Sequence, residues 1–78
     1  MRDLNDLYYF AQVVDHGGFA AAARALGMPR SRLSRRIAAL EDRLGVRLIQ
    51  RSTRRVSVTE IGQDYYRHCV AMLVEAGA

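Results

Sequence analysis

Residues 19–40 read "FAAAARALGMPRSRLSRRIAAL" and contain two helical patterns joined by a short turn. The first pattern is mostly alanine, an excellent helix former. Gly27 is placed to end the first helix, and Pro29 fits the first position of the next, where its missing N–H costs nothing. Two helices joined by a short glycine-containing turn predict a helix-turn-helix unit.

The second helix of this unit is predicted over residues 30–44, before Gly45, and its two sides differ in chemistry. One narrow face is apolar and is predicted to pack in the core: Leu33, Ile37, Leu40 and Leu44. The other sides are polar: Ser31, Arg35 and Asp42 lie opposite the core, Ser34 on one shoulder, and Arg32, Arg36 and Arg43 on the other flank. The arginines therefore concentrate in the first two turns, on sides that the core leaves uncovered.

Charge is unevenly distributed along the 78 residues, whose formal net charge is +4. Residues 24–55 carry ten arginines against Glu41 and Asp42, a balance of +8, whereas residues 1–23 and 56–78 each carry −2. A basic segment between acidic flanks is the charge pattern of a protein that binds a polyanion. On charge alone, a solubilising surface explains the pattern equally well.

The position of the arginines within the helix favours DNA. A helix in the major groove reads bases mainly with its N-terminal turns, where its dipole also favours phosphate. An arginine can bind O6 and N7 of guanine, and a serine hydroxyl can donate or accept. We predict base contacts from Arg30, Ser31, Ser34 and Arg35, and backbone contacts from Arg32 and Arg36. Alternatively, Arg36 and Arg43 pair with Glu41, Asp42 or a neighbouring segment, Arg43 most readily because it lies far from the helix start.

The segments on either side of the unit complete a small domain. Residues 3–16 predict a first helix with Asp3 as its N-cap and Asp6 in its first turn, near the positive end of the helix dipole, and Gly18 is predicted to cap the second helix. After Gly45, two β-rich runs flank a polar tip and predict a hairpin over residues 46–58, with strands Val46–Arg51 and Val56–Val58. The predicted contacts of this wing with the DNA backbone or minor groove are Arg51, Ser52, Thr53, Arg54 and Arg55.

A last helix, capped by Thr59, carries an unusually wide apolar arc. A helix that packs on one domain needs only a narrower stripe, so we predict that the arc also forms a dimer interface. The predicted interface residues are Ile61, Tyr65, Tyr66, Cys69, Val70, Met72 and Leu73. Alternatively, the arc wraps around the core of its own chain.

Other functional classes find little support in the sequence. It contains no Ser/His/Asp set, no glycine-rich phosphate loop and no paired carboxylates at a useful spacing, so we predict no enzyme. Cys69 is predicted to be a buried thiol, and His16 and His68 lack ligand spacing to it, so no metal and no cofactor are expected. No apolar run approaches the roughly 20 residues of a membrane span and no secretion signal is present, so a cytoplasmic, nucleoid-associated location is expected.

The sequences "LYYFAQVVDHGGFAAAARALG" and "LSRRIAALEDRLGVRLIQRSTRRVSVTEIG" together resemble the DNA-binding domain of LysR-type bacterial transcriptional regulators. The ordered set that carries the resemblance is Phe10, Phe19, Ala22, Ala23, Leu26, Leu33, Ser34, Arg35, Ile37, Leu40, Glu41, Leu44, Gly45, Leu48, Arg51, Arg54, Thr59 and Gly62. It implies a mainly α fold, a winged helix-turn-helix with a three-helix core and a small β-hairpin wing over residues 1–58. A long linker and dimerisation helix over residues 59–78 follows.

The resemblance also implies partners. These are double-stranded promoter DNA, bound as a homodimer or tetramer, and a small-molecule effector for a larger C-terminal domain that this sequence does not encode. The family commonly opens the recognition helix with Ser or Thr and then Gln, whereas Pro29 and Arg30 stand here, and Arg32 replaces a common Ala. We expect the base preference to differ at Arg30, which suits guanine or phosphate. The alternative function is a winged-helix protein-interaction module, for which binding would ignore ionic strength.

Overall fold

The computed structural model describes residues 4–51 and 56–75. The elements in chain order are α1 Leu4–His16, α2 Phe19–Leu26, α3 Arg30–Leu44, β1 Ile49–Arg51, β2 Val56–Val58 and α4 Glu60–Glu75. The strands β1 and β2 pair antiparallel, with Ile49 opposite Val58 and Arg51 opposite Val56. The predicted fold, mainly helical with a two-stranded wing, is confirmed.

The ends of α2 and α3 follow the local signals of the sequence. Gly18 is the N-cap of α2, and Gly27 ends that helix with a φ of 67°. Gly45 ends α3 with a φ of 72°, in the left-handed region that favours glycine. Pro29 was predicted at the first helical position, which is wrong by one residue. Its ψ of 141° is extended, so only its carbonyl joins the helix, accepting from the N–H groups of Arg32 and Leu33 at 3.1 Å each.

The core lies where α1 contacts the other three helices. Its fully buried side chains are Leu7, Phe10, Val13, Leu33, Ile37, Leu48, Ile49 and Cys69. The alanine-rich α2 contributes Phe19, Ala22 and Ala23, while Leu26 is half-buried. Asp3, the predicted N-cap of α1, lies outside the described residues.

The apolar face of α3 ends one turn earlier than predicted. Leu40 is 4% exposed, but Leu44 is 42% exposed, so the prediction that Leu44 belongs to the core is wrong. Glu41 is buried instead, because its side chain turns towards the backbone that leads into β1. Leu44, the last residue of the helix, remains at the surface.

The strand β1 is also shorter than the predicted Val46–Arg51. It begins at Ile49, because the backbone of Leu48 is hydrogen-bonded to the side chain of Glu41 in α3 and to Thr59, just after β2. The Leu48 N–H donates to the Glu41 carboxylate at 2.8 Å, and the Leu48 carbonyl accepts from the Thr59 N–H at 3.0 Å.

The helix α4 is capped as predicted and packs on α1. Thr59 Oγ1 accepts from the Gly62 N–H at 2.9 Å, and the rings of Tyr65 and Phe10 lie 5.7 Å apart. The Tyr66 hydroxyl donates to Asp15, and this hydrogen bond raises the pKa of Tyr66, as do burial and the charge of Asp15. The division at residues 58 and 59 stays a prediction, since α4 shares the core through Cys69. No helix in the described part of the chain is long and apolar enough to cross a membrane.

We expect Leu40→Ala to lower the free energy of unfolding by about 2–5 kcal/mol, because it deletes a buried side chain and leaves a cavity. Leu44→Ala is the matched control and should cost clearly less, since its side chain is already 42% exposed. Urea denaturation of the two variants measures the difference. Equal losses would contradict the exposed position of Leu44.

Candidate nucleic-acid interface

The N-terminal turns of α3 present a polar surface to solvent. Arg30, Ser31, Arg32 and Arg35 are exposed, and Ser34 is half-buried. On the other side of the helix, Leu33 and Ile37 are fully buried and attach it to the core. We call the five polar residues, Arg30, Ser31, Arg32, Ser34 and Arg35, the recognition surface. The four predicted base-reading residues lie together on it.

The electrostatics of this helix end favour an anion. The first turn of α3 contains no acidic residue, and Pro29 supplies no side-chain hydrogen bond to it. The positive end of the helix dipole is therefore not neutralised by a capping side chain. Arg30, Arg32 and Arg35 make no ion pair with another residue in the described ranges, 4–51 and 56–75. Their charges are thus available at the same end of the helix.

Two other arginines of α3 are held by a carboxylate of α1. Arg36 donates to Asp6 Oδ1 through Nη2 at 2.9 Å and Nε at 3.2 Å, and its Cζ lies 5.1 Å from the centre of the Tyr9 ring. Arg43 donates to the other Asp6 oxygen. The pairing of Arg36 and Arg43 with a neighbouring segment, left open by the sequence, is confirmed. The backbone contact assigned to Arg36 stays a prediction.

Asp6 is the residue of this cluster that sequence reasoning missed. It was assigned only to the first turn of α1, yet its side chain is 5% exposed. The one signal in the sequence that Asp6 is buried was its position next to the core residue Leu7. The sequence does not show that the fold brings Arg36 and Arg43 of α3 to the Asp6 carboxylate.

Arg51, assigned to the wing, is held in a similar way. Its Nη1 donates to Glu41 Oε1 at 3.2 Å, and its Cζ lies 5.1 Å from the centre of the Phe19 ring. Its side chain keeps 31% of its surface exposed, so it can still contact a ligand. The other predicted wing contacts, Ser52, Thr53, Arg54 and Arg55, lie outside the described residues.

The structure divides the predicted interface residues of α4 into three groups. Cys69 is fully buried in the core, so its assignment to a dimer interface is corrected: its side chain packs within its own chain. Four residues are half-buried: Tyr65, Tyr66, Met72 and Leu73. Ile61 and Val70 are 52% and 39% exposed, and Val74, one turn after Val70, is 69% exposed.

The arrangement offers no metal site within the described part of the chain. No three side chains of His, Cys, Asp or Glu come close enough there to hold an ion. The chemistry available at the recognition surface is therefore hydrogen bonding and charge pairing from guanidinium and hydroxyl groups.

Comparisons with known proteins agree with this geometry. A family model described as "Bacterial regulatory helix-turn-helix protein, lysR family" matches residues 4–63. An HTH-type transcriptional regulator from Xanthomonas campestris pv. campestris (strain 8004) is 51% identical over 68 residues, which are 87% of this chain and 20% of that protein. The BenM DNA-binding domain in complex with catB site 1 DNA superposes with a TM-score of 0.93 at 34% identity, over 97% of this chain and 84% of that one.

A full-length protein also superposes. It is the Vibrio cholerae virulence activator AphB, with a TM-score of 0.88 at 34% identity, over 97% of this chain. This chain covers 26% of AphB. It therefore spans about a fifth to a quarter of the length of these two longer relatives.

We expect Asp6→Asn to lower the free energy of unfolding by about 1–2 kcal/mol, between the values for exposed and buried ion pairs, because both arginines are partly solvated. Asp64→Asn, which removes the exposed pair between Asp64 and Arg67, is the matched control and should cost almost nothing. Urea denaturation at low salt provides the measurement. Indistinguishable losses would show that the Asp6 cluster acts only as a surface ion pair.

Proposed function

The chain belongs to the LysR family of bacterial helix-turn-helix regulators, and we propose that it is the part of a transcriptional regulator that recognises promoter DNA by sequence. The observation that carries the proposal is the recognition surface, since its arginines pair with no carboxylate of residues 4–51 and 56–75 and lie at the positive end of α3. A protein-interaction module is disfavoured, because such a module would have no use for this arginine-bearing face.

In the proposed complex, α3 enters the major groove with its N-terminal turns first. Arg35 lies on the side opposite the core and Arg30 at the entry, and each can bind O6 and N7 of a guanine. Ser31 and Ser34 can donate to or accept from neighbouring base edges. Arg32, on the flank, is placed for a phosphate and fixes the register of the helix without reading sequence.

The arginines that carboxylates hold take a different role in the proposal. Arg36 and Arg51 each have a carboxylate partner and an aromatic ring beside the guanidinium. Both keep about a third of the side chain exposed, which leaves N–H groups for phosphate. Because their rotamers are already fixed, little side-chain entropy would be lost on binding DNA. The contacts predicted for Ser52, Thr53, Arg54 and Arg55 with the DNA backbone or minor groove complete this part of the proposal.

A second copy of the chain is the proposed partner of α4. Ile61, Val70 and Val74 leave apolar surface that the core of the same chain does not cover. Two helices of this kind, related by a two-fold axis, would cover it and present two recognition surfaces to a palindromic site. A non-enzymatic role inside the bacterial cell, and an effector bound by the remainder of a longer protein, complete the proposal.

We expect Arg35→Ala to reduce discrimination between a selected operator and random DNA by about tenfold or more, because a bidentate base contact contributes roughly 1–3 kcal/mol. Arg67→Ala, which removes an exposed arginine of α4 outside the recognition surface, is the matched control. Mobility-shift titration on both DNAs measures the ratio. An unchanged ratio for Arg35→Ala would remove it from the base-reading residues.

We expect Val70→Asp to shift the chain from dimer to monomer at micromolar concentration, because a charge in the centre of an apolar interface must be desolvated. Ala71→Asp introduces the same charge at the next residue, on the polar side of α4, and should leave the dimer intact. Sedimentation velocity distinguishes the two. A dimer that tolerates Val70→Asp would place the interface elsewhere.

A further inference from the structure

Glu41 occupies an unusual position for a charged residue of the recognition helix. Only 8% of it is exposed, and its two carboxylate oxygens accept three hydrogen bonds. Oε2 accepts from the N–H groups of Leu48 and Ile49 at 2.8 and 3.0 Å, and Oε1 accepts from Arg51 at 3.2 Å. All three donors lie at the start of the wing, so this side chain ties α3 directly to β1.

The peptide groups that flank Leu48 carry the connection onward to α4. The Leu48 N–H bonds to Glu41, and the Leu48 carbonyl accepts from the Thr59 N–H at 3.0 Å. Thr59 Oγ1 also donates to the Arg47 carbonyl at 2.7 Å while it caps α4. The recognition helix and the N-cap of α4 are thus joined through the backbone of Leu48, with Arg47 beside it.

The contact between Leu48 and the start of α4, which we call the junction, is tightly packed. A Cβ built on Gly62 would overlap the Leu48 carbonyl oxygen and would lie 2.7 Å from Val58 Cγ1. The backbone of α4 therefore rests against Leu48 with no space for a side chain between them. Elsewhere α4 meets α1 partly through apolar rings, whose contacts are less directional than these hydrogen bonds.

We propose that Glu41 is a positioning residue: through the backbone of Leu48 it fixes the angle between α3 and α4, and this angle specifies the half-site spacing that a dimer of the chain accepts. The proposal rests on the dimeric DNA binding proposed above. A change of one base pair moves one half-site by about 3.4 Å and rotates it by roughly 35° about the DNA axis. A dimer with a rigid junction must reject such a change, and a dimer with a loosened junction can follow it.

Glu41→Gln loosens the junction at the smallest structural cost. The amide oxygen of Gln can replace Oε2, but it is neutral, so its bonds to the Leu48 and Ile49 N–H groups lose the strength that the carboxylate charge gives them. The NH₂ group of Gln then replaces Oε1 and offers Arg51 no acceptor. Asp42→Asn is the matched control, because it removes the same charge from the neighbouring exposed residue of α3. Gly62→Ala tests the other end of the junction, and Gly18→Ala is its control, since a Cβ at Gly18 meets no atom within 4 Å.

The experiment first selects a half-site from a random DNA pool with the unaltered chain. The affinity of the chain is then measured for palindromes that carry this half-site at different spacings. The result is the ratio of the affinity at the best spacing to the affinity at a spacing one base pair longer or shorter. We expect Glu41→Gln to lower this ratio at least about threefold while its affinity for one half-site stays within about threefold, and Gly62→Ala to lower the ratio or change the preferred spacing. Both control variants should keep the ratio of the unaltered chain.

The outcomes separate this proposal from the proposed function. If the unaltered chain selects no half-site, DNA recognition itself fails. If it selects one but shows no spacing preference, or if folded Glu41→Gln and Gly62→Ala keep that preference, the positioning role of Glu41 is overturned. Should thermal unfolding show that Glu41→Gln or Gly62→Ala does not fold, Thr59→Ala makes the same test, because it removes the hydroxyl bonds to Arg47 and Gly62.

Discussion

A buried carboxylate at the end of the recognition helix is the interaction on which the second half of the domain depends. Burying a charge is costly unless hydrogen bonds replace its water, and Glu41 obtains three from residues 48, 49 and 51. No buried polar side-chain atom in the described ranges lacks a partner. A two-stranded hairpin is only marginally stable by itself. Glu41 therefore holds the first strand of the wing, and the place of that strand follows from the last turns of α3.

A second carboxylate acts on the other flank of the same helix. Asp6 of α1 forms ion pairs with Arg36 and Arg43, whereas Glu41 forms an ion pair with Arg51 of the wing. The +8 of residues 24–55 already subtracts Glu41, but it leaves out Asp6, whose charge lies against Arg36 and Arg43 in the folded chain. Within the described residues, the arginines at the start of α3 form an ion pair with neither of these two carboxylates. The two acidic residues thus distinguish the arginines that take part in the fold from those of the recognition surface, which a charge count along the sequence cannot do.

What could be predicted from the sequence depends on whether a feature is determined by nearby residues or by the packing of distant elements. The bounds of α3, the glycines that end α2 and α3, and the cap at Thr59 were predictable, because each depends on residues within one turn of the chain. Leu44, Asp6 and Cys69 were assigned wrongly or incompletely, because their burial depends on which element packs against them. A helical wheel gives Leu44 the same weight as Leu40, yet within the described residues Leu44 stays 42% exposed. For α4, the wheel showed a wide apolar arc but not that the middle of the arc, at Cys69, faces its own core.

The start of α3 shows how a local departure from the family pattern changes the chemistry of the whole surface. The Ser or Thr common at this place can accept a hydrogen bond from the first turn of the helix, and losing such a cap typically costs about 0.5–2 kcal/mol. Pro29 supplies only its carbonyl, to the N–H groups of Arg32 and Leu33. The first two N–H groups of α3 therefore receive no acceptor from a capping side chain, and Arg30 adds a full charge beside them. The start of α3 thus combines a weaker cap with a higher positive potential, and in the proposed complex this is the end of the helix that enters the groove.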